Sequence, residues 1–123
     1  MERKKVIYLS GPITDVPKYW EPFEQAEEDL IGLGYIPLSP AHLPEGMDKE
    51  QYTRIRFAMI DSADAVLFLK GIDSSDGVEL ENKYCKHIGK PRVALRDGGV
   101  FGKNPREIVQ AWLKHDLEEV FGK

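Results

Sequence analysis

The sequence of 123 residues has one cysteine, no long apolar run and no excess of positive charge. A single cysteine excludes an internal disulfide, and Cys85 falls among apolar positions, so a buried free thiol in a reducing compartment is expected. No stretch is long enough to cross a membrane, and the amino terminus lacks the apolar core of a signal peptide. These absences predict a cytoplasmic protein that has no membrane partner.

A net charge of −4 without a basic cluster argues against a nucleic-acid polymer as the partner. The three histidines, His42, His87 and His115, lack the spacing of a metal site, so neither a metal nor another cofactor is expected. The length fits one domain that covers residues 1–123 and leaves no room for a second core.

Apolar runs of strand length alternate with segments of helical periodicity along the whole chain. Strands are predicted at residues 6–9, 35–38, 65–69 and 92–95. Pro37 would remove a hydrogen bond from the second strand, which is therefore expected to lie at a sheet edge or to be very short. The alternation predicts an α/β fold: a three-layer sandwich in which a parallel sheet of four to five strands carries helices on both faces.

Polar residues mark where the helices begin. Asp48 followed by Gln51 predicts a capping box, and Asp76 followed by Glu79 predicts a second one. Asn104 is the predicted N-cap of the last helix. Each start follows a loop, as the alternating fold requires.

Glu81 interrupts the apolar arc of the helix that is predicted to begin at Asp76. The arc is formed by Val78, Leu80, Tyr84, Cys85 and Ile88. A carboxylate that faces a core is costly unless it is paired, protonated or open to a cavity. Glu81 therefore either reaches solvent, pairs with a buried arginine, or serves a ligand in the cleft at the carboxyl ends of the strands.

The loop after the first strand is a candidate ligand loop. It covers residues 10–15, and Ser10, Gly11, Pro12 and Ile13 are its candidate ligand contacts. Glycine and small hydroxyl residues at this place suit a phosphate or ribose contact, although they also form ordinary turns. The loop at residues 39–47 contains His42, for which either a ligand contact or simple exposure is possible.

Two stretches, read together, resemble the nucleoside 2-deoxyribosyltransferase superfamily, and its short phage and bacterial members most closely. They are YLSGPIT at residues 8–14 and ADAVLFLKGIDSSDGVELE at residues 63–81. The superfamily also includes the 2′-deoxynucleoside 5′-phosphate N-hydrolases. The most specific element is the Ser-x-Gly-x-x-x-Glu pattern that ends at Glu81. The resemblance implies a flavodoxin-like or Rossmann-like sheet.

The resemblance also implies roles for particular residues. Glu81 matches the nucleophile that attacks the anomeric carbon of the sugar, and Tyr8 matches the region that positions this glutamate. Ser75 matches the serine of the nucleotide hydrolases, which favours a 5′-phosphate over a free 5′-hydroxyl because no carboxylate repels the phosphate. Asp76 and Gly77 would shape the start of the helix around the ligand.

Arg56 departs from the family pattern, because the family has there an aspartate that serves the leaving base. Arginine holds its proton too tightly to act as a general acid. Arg56 could instead pair with Glu81 or bind a phosphate, and Asp61 or Asp64 could replace the missing acid.

Three functional interpretations follow. The first is an enzyme that cleaves or transfers the N-glycosidic bond of a 2′-deoxynucleoside or its 5′-monophosphate. The second is a nucleotide-binding module without turnover, which an ion pair between Arg56 and Glu81 would favour. The third, a flavin carrier, has little support because the first loop lacks a run of hydroxyl residues. The family implies a homodimer or larger oligomer. Trp20, Trp112 and Phe121 are candidate interface residues, and core packing would explain them equally well.

Overall fold

The computed structural model describes residues 3–96 and 105–122. Strands and helices alternate along this part of the chain. They are β1 (Val6–Ser10), α1 (Trp20–Gly32), β2 (Ile36–Leu38), a short 3₁₀ turn (Pro40–His42), α2 (Lys49–Ser62), β3 (Ala65–Phe68), α3 (Asp76–Ile88), β4 (Arg92–Ala94) and α4 (Arg106–Phe121). The predicted N-cap Asn104 lies outside the described residues. No helix within 3–96 or 105–122 has the length and apolar character needed to span a membrane.

The four described strands form one parallel sheet in the order β2-β1-β3-β4. This arrangement confirms the predicted α/β class, and β2 with its Pro37 lies at an edge, as expected. The chain passes from β1 outward to β2 and then returns to the other side of β1 for β3. The carboxyl ends of β1 and β3 therefore form a topological switch point, where sheets of this type leave a crevice.

The pleat of β1 directs its side chains alternately to the two faces of the sheet. Ile7 and Leu9 pack in a core with residues of α1 and α4, whereas Tyr8 packs in a second core with residues of α2 and α3. Ser10 follows Tyr8 at the same spacing and points toward α2 and α3 as well. The two polar residues of β1 thus face the two helices that carry the candidate site.

Helix α2 begins as the sequence predicted. The Asp48 carboxylate accepts a hydrogen bond from the Gln51 amide at 2.8 Å, and the Gln51 side chain accepts one from the Asp48 amide at 2.9 Å. This reciprocal capping box satisfies amide groups that have no partner within the helix.

Helix α3 begins with a different cap from the one predicted. Ser75, and not Asp76, is the N-cap, because the Ser75 hydroxyl accepts a hydrogen bond from the Val78 amide at 3.1 Å. Asp76 is the first helical residue and is exposed. Both residues are good caps by type, and the extended backbone at Ser75 decides between them.

The buried face of α3 also differs from the predicted arc. Its buried residues are Val78, Glu81, Asn82 and Cys85, which follow the spacing i, i+3, i+4, i+7. Leu80 and Ile88 are exposed at 42% and 39%. Leu80 follows Val78 by two residues, which places it about 200° around the helix and away from the sheet.

The three aromatic residues considered for an interface differ in their surroundings. Trp20 is 44% exposed and packs edge-on against Tyr19. Trp112 and Phe121 are partly buried, the first beneath Arg96 and the second beside Tyr35. Contacts within the chain thus account for the last two.

Asp64 forms hydrogen bonds at the end of the sheet where β1 begins. It accepts hydrogen bonds from the Arg3 guanidinium at 2.7 and 2.9 Å and from the Val6 amide at 2.7 Å. These contacts, chiefly that of Arg3, lower the pKa of Asp64 to about 2. Because the folded pKa lies below the ordinary value of 3.8, the stabilisation is complete above that value and is lost as pH falls through about 2.

We therefore expect Asp64→Asn to lower the free energy of unfolding by about 1 kcal/mol at pH 7. The effect is modest because solvent screens the exposed Arg3. The difference from wild type should shrink as pH falls from about 4 to about 2. Urea unfolding across this pH range measures it, and a difference that does not change with pH would contradict the assignment.

Candidate functional site

Four polar residues from three elements meet at the carboxyl end of β1. Tyr8 and Ser10 lie on β1, Arg56 lies on α2, and Glu81 lies in the second turn of α3. The pleat of β1 and the inward face of α3 direct these side chains toward one another. They come together at the switch point of the sheet, where ligands bind in open α/β folds.

The Glu81 carboxylate is buried and held by two hydroxyl groups. Only 2% of the surface of Glu81 is exposed to solvent. The Tyr8 hydroxyl donates to Oε2 and the Ser10 hydroxyl donates to Oε1, each at 2.6 Å. Such short bonds to a charged acceptor are among the stronger hydrogen bonds in proteins. They fix the orientation of the carboxylate and offset much of the cost of removing it from water.

Arg56 forms an ion pair with the same carboxylate. Its Nε lies 3.0 Å from Glu81 Oε2, and the two side chains are 17% and 3% exposed. Nε has no hydrogen-bond partner among the described residues, so its N–H is not aimed at that oxygen. The terminal guanidinium nitrogens lie beside Gly77, 3.6 and 3.7 Å from where a Cβ on that glycine would stand. Of the two interpretations of Arg56, pairing with Glu81 is the one observed.

The protonation states in this cluster follow from burial and charge. Burial raises the pKa of Tyr8 well above its ordinary range, and the negative charge of Glu81 raises it further. Burial lowers the pKa of Arg56 and is the largest single effect, but the charge of Glu81 and the contacts with Glu81 and Tyr8 together outweigh it, so the net pKa is raised. Tyr8 is therefore a neutral donor at physiological pH. Arg56 keeps its positive charge and cannot act as a general acid.

A cavity of about 510 Å³ opens next to this cluster. It is lined by Ile13, Thr14, Asp15, Val16, Pro17, Tyr19, Pro40, Leu43, Glu45, Tyr52 and Arg56. Glu81, Tyr8 and Ser10 are not among the lining residues. Arg56 both lines the cavity and contacts Glu81, so its side chain lies between the cavity and the carboxylate.

The chemistry of the lining suits a small polar molecule with a flat ring. Tyr19 and Tyr52 provide aromatic surface, on which nucleobases commonly stack. Asp15 and Glu45 provide hydrogen-bond acceptors, and Arg56 is the one basic side chain among the lining residues. The cavity thus combines aromatic, acidic and basic groups.

Tyr52 also joins α2 to the loop that follows the 3₁₀ turn. Its hydroxyl donates to the Pro44 carbonyl at 2.6 Å and accepts from the Met47 amide at 3.3 Å. Leu43 and Glu45 of this loop line the cavity. These bonds hold that wall against α2.

The structure brings some of the predicted residues of the first loop to the site. Ile13 lines the cavity, and Ser10 binds Glu81. Gly11 is buried, and a Cβ there would stand 3.2 Å from the Phe23 ring, so packing accounts for this glycine. Pro12 is partly buried and does not line the cavity. A role of Gly11 and Pro12 in ligand binding stays a prediction.

The predicted residues at the start of α3 lie near Arg56 and outside the cavity lining. Ser75 caps the helix, and Gly77 lies against the Arg56 guanidinium. Asp76 is exposed and belongs to the first turn. Contact of these three residues with a ligand also stays a prediction.

Two residues considered as replacement acids are engaged elsewhere. Asp64 lies at the amino-terminal edge of the sheet, where it binds Arg3, so it cannot serve a base bound at the carboxyl end. Asp61 accepts a hydrogen bond from the Tyr84 hydroxyl at 2.6 Å.

Cys85 is not a nucleophile at neutral pH, because burial raises its pKa to about 11.

Sequence reasoning missed most of the cavity wall. The predicted ligand loop covers residues 10–15, but no residue of it beyond Ile13 is predicted to contact a ligand, and in the next loop only His42 is considered. His42 instead pairs with Glu27 of α1 at 3.0 Å. The pairing of β1 with β2 is the signal from which the cavity wall could have been predicted, because it brings the loops that follow the two strands together. Among the described residues, no group of three or more His, Cys, Asp and Glu is arranged to hold a metal.

The fold and the site define a parallel α/β protein with a candidate cleft at the switch point of its sheet. A family model described as "Domain of unknown function (DUF4406)" matches residues 5–94, and the chain therefore belongs to that family. Its fold is similar to that of a solved structure, the 2-desoxiribosyltransferase from Leishmania mexicana. The TM-score is 0.64 and the sequence identity is 18%, over 90% of this chain and 97% of that one. No curated protein sequence matches the chain.

Proposed function

We propose that this protein binds a 2′-deoxynucleoside or its 5′-monophosphate in the cavity beside Glu81. The observation that carries the proposal is a cavity between the loops after β1 and β2 and helix α2, where aromatic surface lies next to the Arg56–Glu81 ion pair. Tyr19 and Tyr52 suit a base, and Asp15 suits sugar hydroxyl or base amino donors. The likeness to a 2-desoxiribosyltransferase supports this ligand class through the fold.

Cleavage or transfer of the N-glycosidic bond is the second candidate, and a specific observation favours it. Tyr8 and Ser10 hold both oxygens of Glu81 at 2.6 Å, as a carboxylate that must attack one carbon atom requires. Against turnover stands the ion pair between Arg56 and Glu81, which is the contact expected of a binding module without turnover. A carboxylate that is paired and separated from the cavity is not available to a sugar.

Binding is tested by isothermal titration of wild type with 2′-deoxynucleosides and their 5′-monophosphates. The variant Leu43→Trp places a larger side chain in the cavity lining and is expected to weaken binding at least about tenfold. Ile31→Trp is the matched control, because it adds the same group at an exposed position of α1 outside the lining. The control should bind like wild type.

Two results would contradict the binding proposal. One is the absence of heat with every nucleoside and nucleotide tested, and the other is equal binding by the two tryptophan variants. Turnover is measured separately as release of free base, with and without an acceptor base. Release that disappears in Glu81→Gln would favour the enzyme, and binding without release from any substrate would favour the binding module.

A further inference from the structure

Among the described residues that hydrogen-bond or pair with the Glu81 side chain, only Arg56 also lines the cavity. Its Nε pairs with Glu81 Oε2 at 3.0 Å, and its terminal nitrogens lie beside Gly77. One residue thus contacts an internal carboxylate and borders a space that can receive a ligand. An anion that enters the cavity competes with Glu81 for the same cation.

The charges of the lining determine where such an anion would bind. Among the described lining residues, Asp15 and Glu45 are acidic and only Arg56 is basic. A phosphate is therefore repelled by the two carboxylates and attracted to Arg56. The guanidinium can bind two phosphate oxygens at once, whereas its present contact with Glu81 uses a poorly aligned Nε. A neutral nucleoside offers no charge that could draw Arg56 from Glu81.

We infer that Arg56 makes Glu81 reactive only toward ligands that carry a phosphate. The 5′-phosphate of a 2′-deoxynucleoside 5′-monophosphate binds the Arg56 guanidinium, which leaves Glu81 and opens the path from the cavity to the carboxylate. Arg56 is thus a specificity-determining residue, and the substrate class is the nucleoside 5′-monophosphate. The inference rests on the proposed binding of nucleosides or nucleotides in this cavity and on the second candidate function, cleavage of the N-glycosidic bond by Glu81.

The reaction that follows is balanced with water as the second reactant. A Glu81 oxygen forms a bond to C1′ of the sugar while the bond from C1′ to the base nitrogen breaks, and the bonding electrons leave with the base. The base takes a proton from solvent. Water then attacks C1′, the ester to Glu81 breaks, and the products are 2-deoxyribose 5-phosphate, the free carboxylate and a proton.

The test compares kcat/KM for base release from a 2′-deoxynucleoside 5′-monophosphate and from the matching 2′-deoxynucleoside. Wild type is expected to prefer the nucleotide by about 100-fold, the value of two charge-assisted hydrogen bonds. In Arg56→Gln the nucleotide should react more slowly and the nucleoside faster, because the phosphate contact and the cover over Glu81 are both lost. A residue that only bound phosphate would slow the nucleotide without accelerating the nucleoside.

A second measurement uses wild type alone and does not depend on the folding of a variant. Inorganic phosphate added with the nucleoside should accelerate base release several-fold, because it draws Arg56 from Glu81 without a covalent link to the sugar. The control is the same reaction without inorganic phosphate, in sulfate-free buffer at the same ionic strength.

The outcomes separate this inference from the proposed function. Equal rates with nucleotide and nucleoside, with no effect of inorganic phosphate, would overturn the role of Arg56 and leave ligand binding intact. Calorimetric binding without base release from either substrate, with phosphate present or absent, would overturn it as well. Absence of binding to either ligand would instead refute the proposed function itself.

Discussion

Replacement of Arg56 by methionine is expected to lower the free energy of unfolding by about 3 kcal/mol at neutral pH. The change leaves the Glu81 charge buried without its cation, which is costly because a carboxylate in the interior has lost its water. Methionine retains an apolar chain of similar length, so the packing of α2 against α3 is largely preserved. The hydrogen bonds from Tyr8 and Ser10 remain and keep the loss at the lower end of the range for a broken buried ion pair.

The control is Arg54→Met, which replaces the other arginine of α2. Arg54 pairs with Glu50 at 3.3 Å, but both side chains are mostly exposed, so its replacement should have little effect on stability. In a Glu81→Gln background the cost of Arg56→Met should fall below about 1 kcal/mol, since no buried charge is left uncompensated. Equal losses for Arg54→Met and Arg56→Met, or an unchanged cost in the Glu81→Gln background, would refute the buried ion pair. Urea unfolding of wild type, Arg54→Met, Arg56→Met, Glu81→Gln and the double variant measures these differences.

Removal of the Tyr8 hydroxyl has the second large expected effect. Tyr8→Phe should reduce the free energy of unfolding by about 2 kcal/mol, because a buried carboxylate loses a hydrogen bond of 2.6 Å that no water replaces. The ring stays in place, so the packing of β1 against α2 and α3 is unchanged. If Glu81 is the nucleophile, base release should fall as well, since the carboxylate is no longer oriented.

The chain contains a closely matched control for this substitution. The Tyr84 hydroxyl donates to the Asp61 carboxylate at the same distance of 2.6 Å, but this pair lies at the surface. Tyr84→Phe removes the same chemical group from the same kind of acceptor, and water takes its place. The loss of stability should be several-fold smaller than for Tyr8→Phe. Equal losses in denaturant unfolding would show that burial of the Tyr8–Glu81 bond contributes nothing.

The sequence predicted those features that local chemistry decides. The capping box of Asp48 and Gln51 depends on two residues three positions apart, and it forms as expected. Pro37 lacks an amide hydrogen, which excludes it from the centre of a sheet and places β2 at the edge. Glu81 was predicted to face the core because its neighbours on α3 are apolar, and it is buried.

The features that the sequence did not predict depend on contacts across the fold. Asn82 is buried and Leu80 is exposed because of where the sheet meets α3, and Arg92 of β4 donates a hydrogen bond to the Asn82 side chain at 2.8 Å. The cap at Ser75 depends on the backbone conformation of the loop after β3.

The cavity wall was largely missed for the same reason. The helical spacing of Tyr52 with Ile55 and Met59 predicts only a core residue of α2, yet Tyr52 lines the cavity and holds the neighbouring loop. Two loops separated by a helix in sequence meet there only because β1 and β2 are neighbours in the sheet. The sequence left two possibilities for Arg56, an ion pair with Glu81 or a phosphate contact. The packing of α2 against α3 places Arg56 beside Glu81, and the ion pair is the one observed.

A crystal structure of wild type with a 2′-deoxynucleoside 5′-monophosphate analogue tests the account most directly. The analogue carries a carbon–carbon glycosidic bond, so it cannot be cleaved. We predict that it occupies the cavity, with a phosphate oxygen about 3 Å from the Arg56 guanidinium and Arg56 withdrawn from Glu81. A ligand bound elsewhere, or Arg56 still paired with Glu81 at a saturating concentration of analogue, would contradict the account.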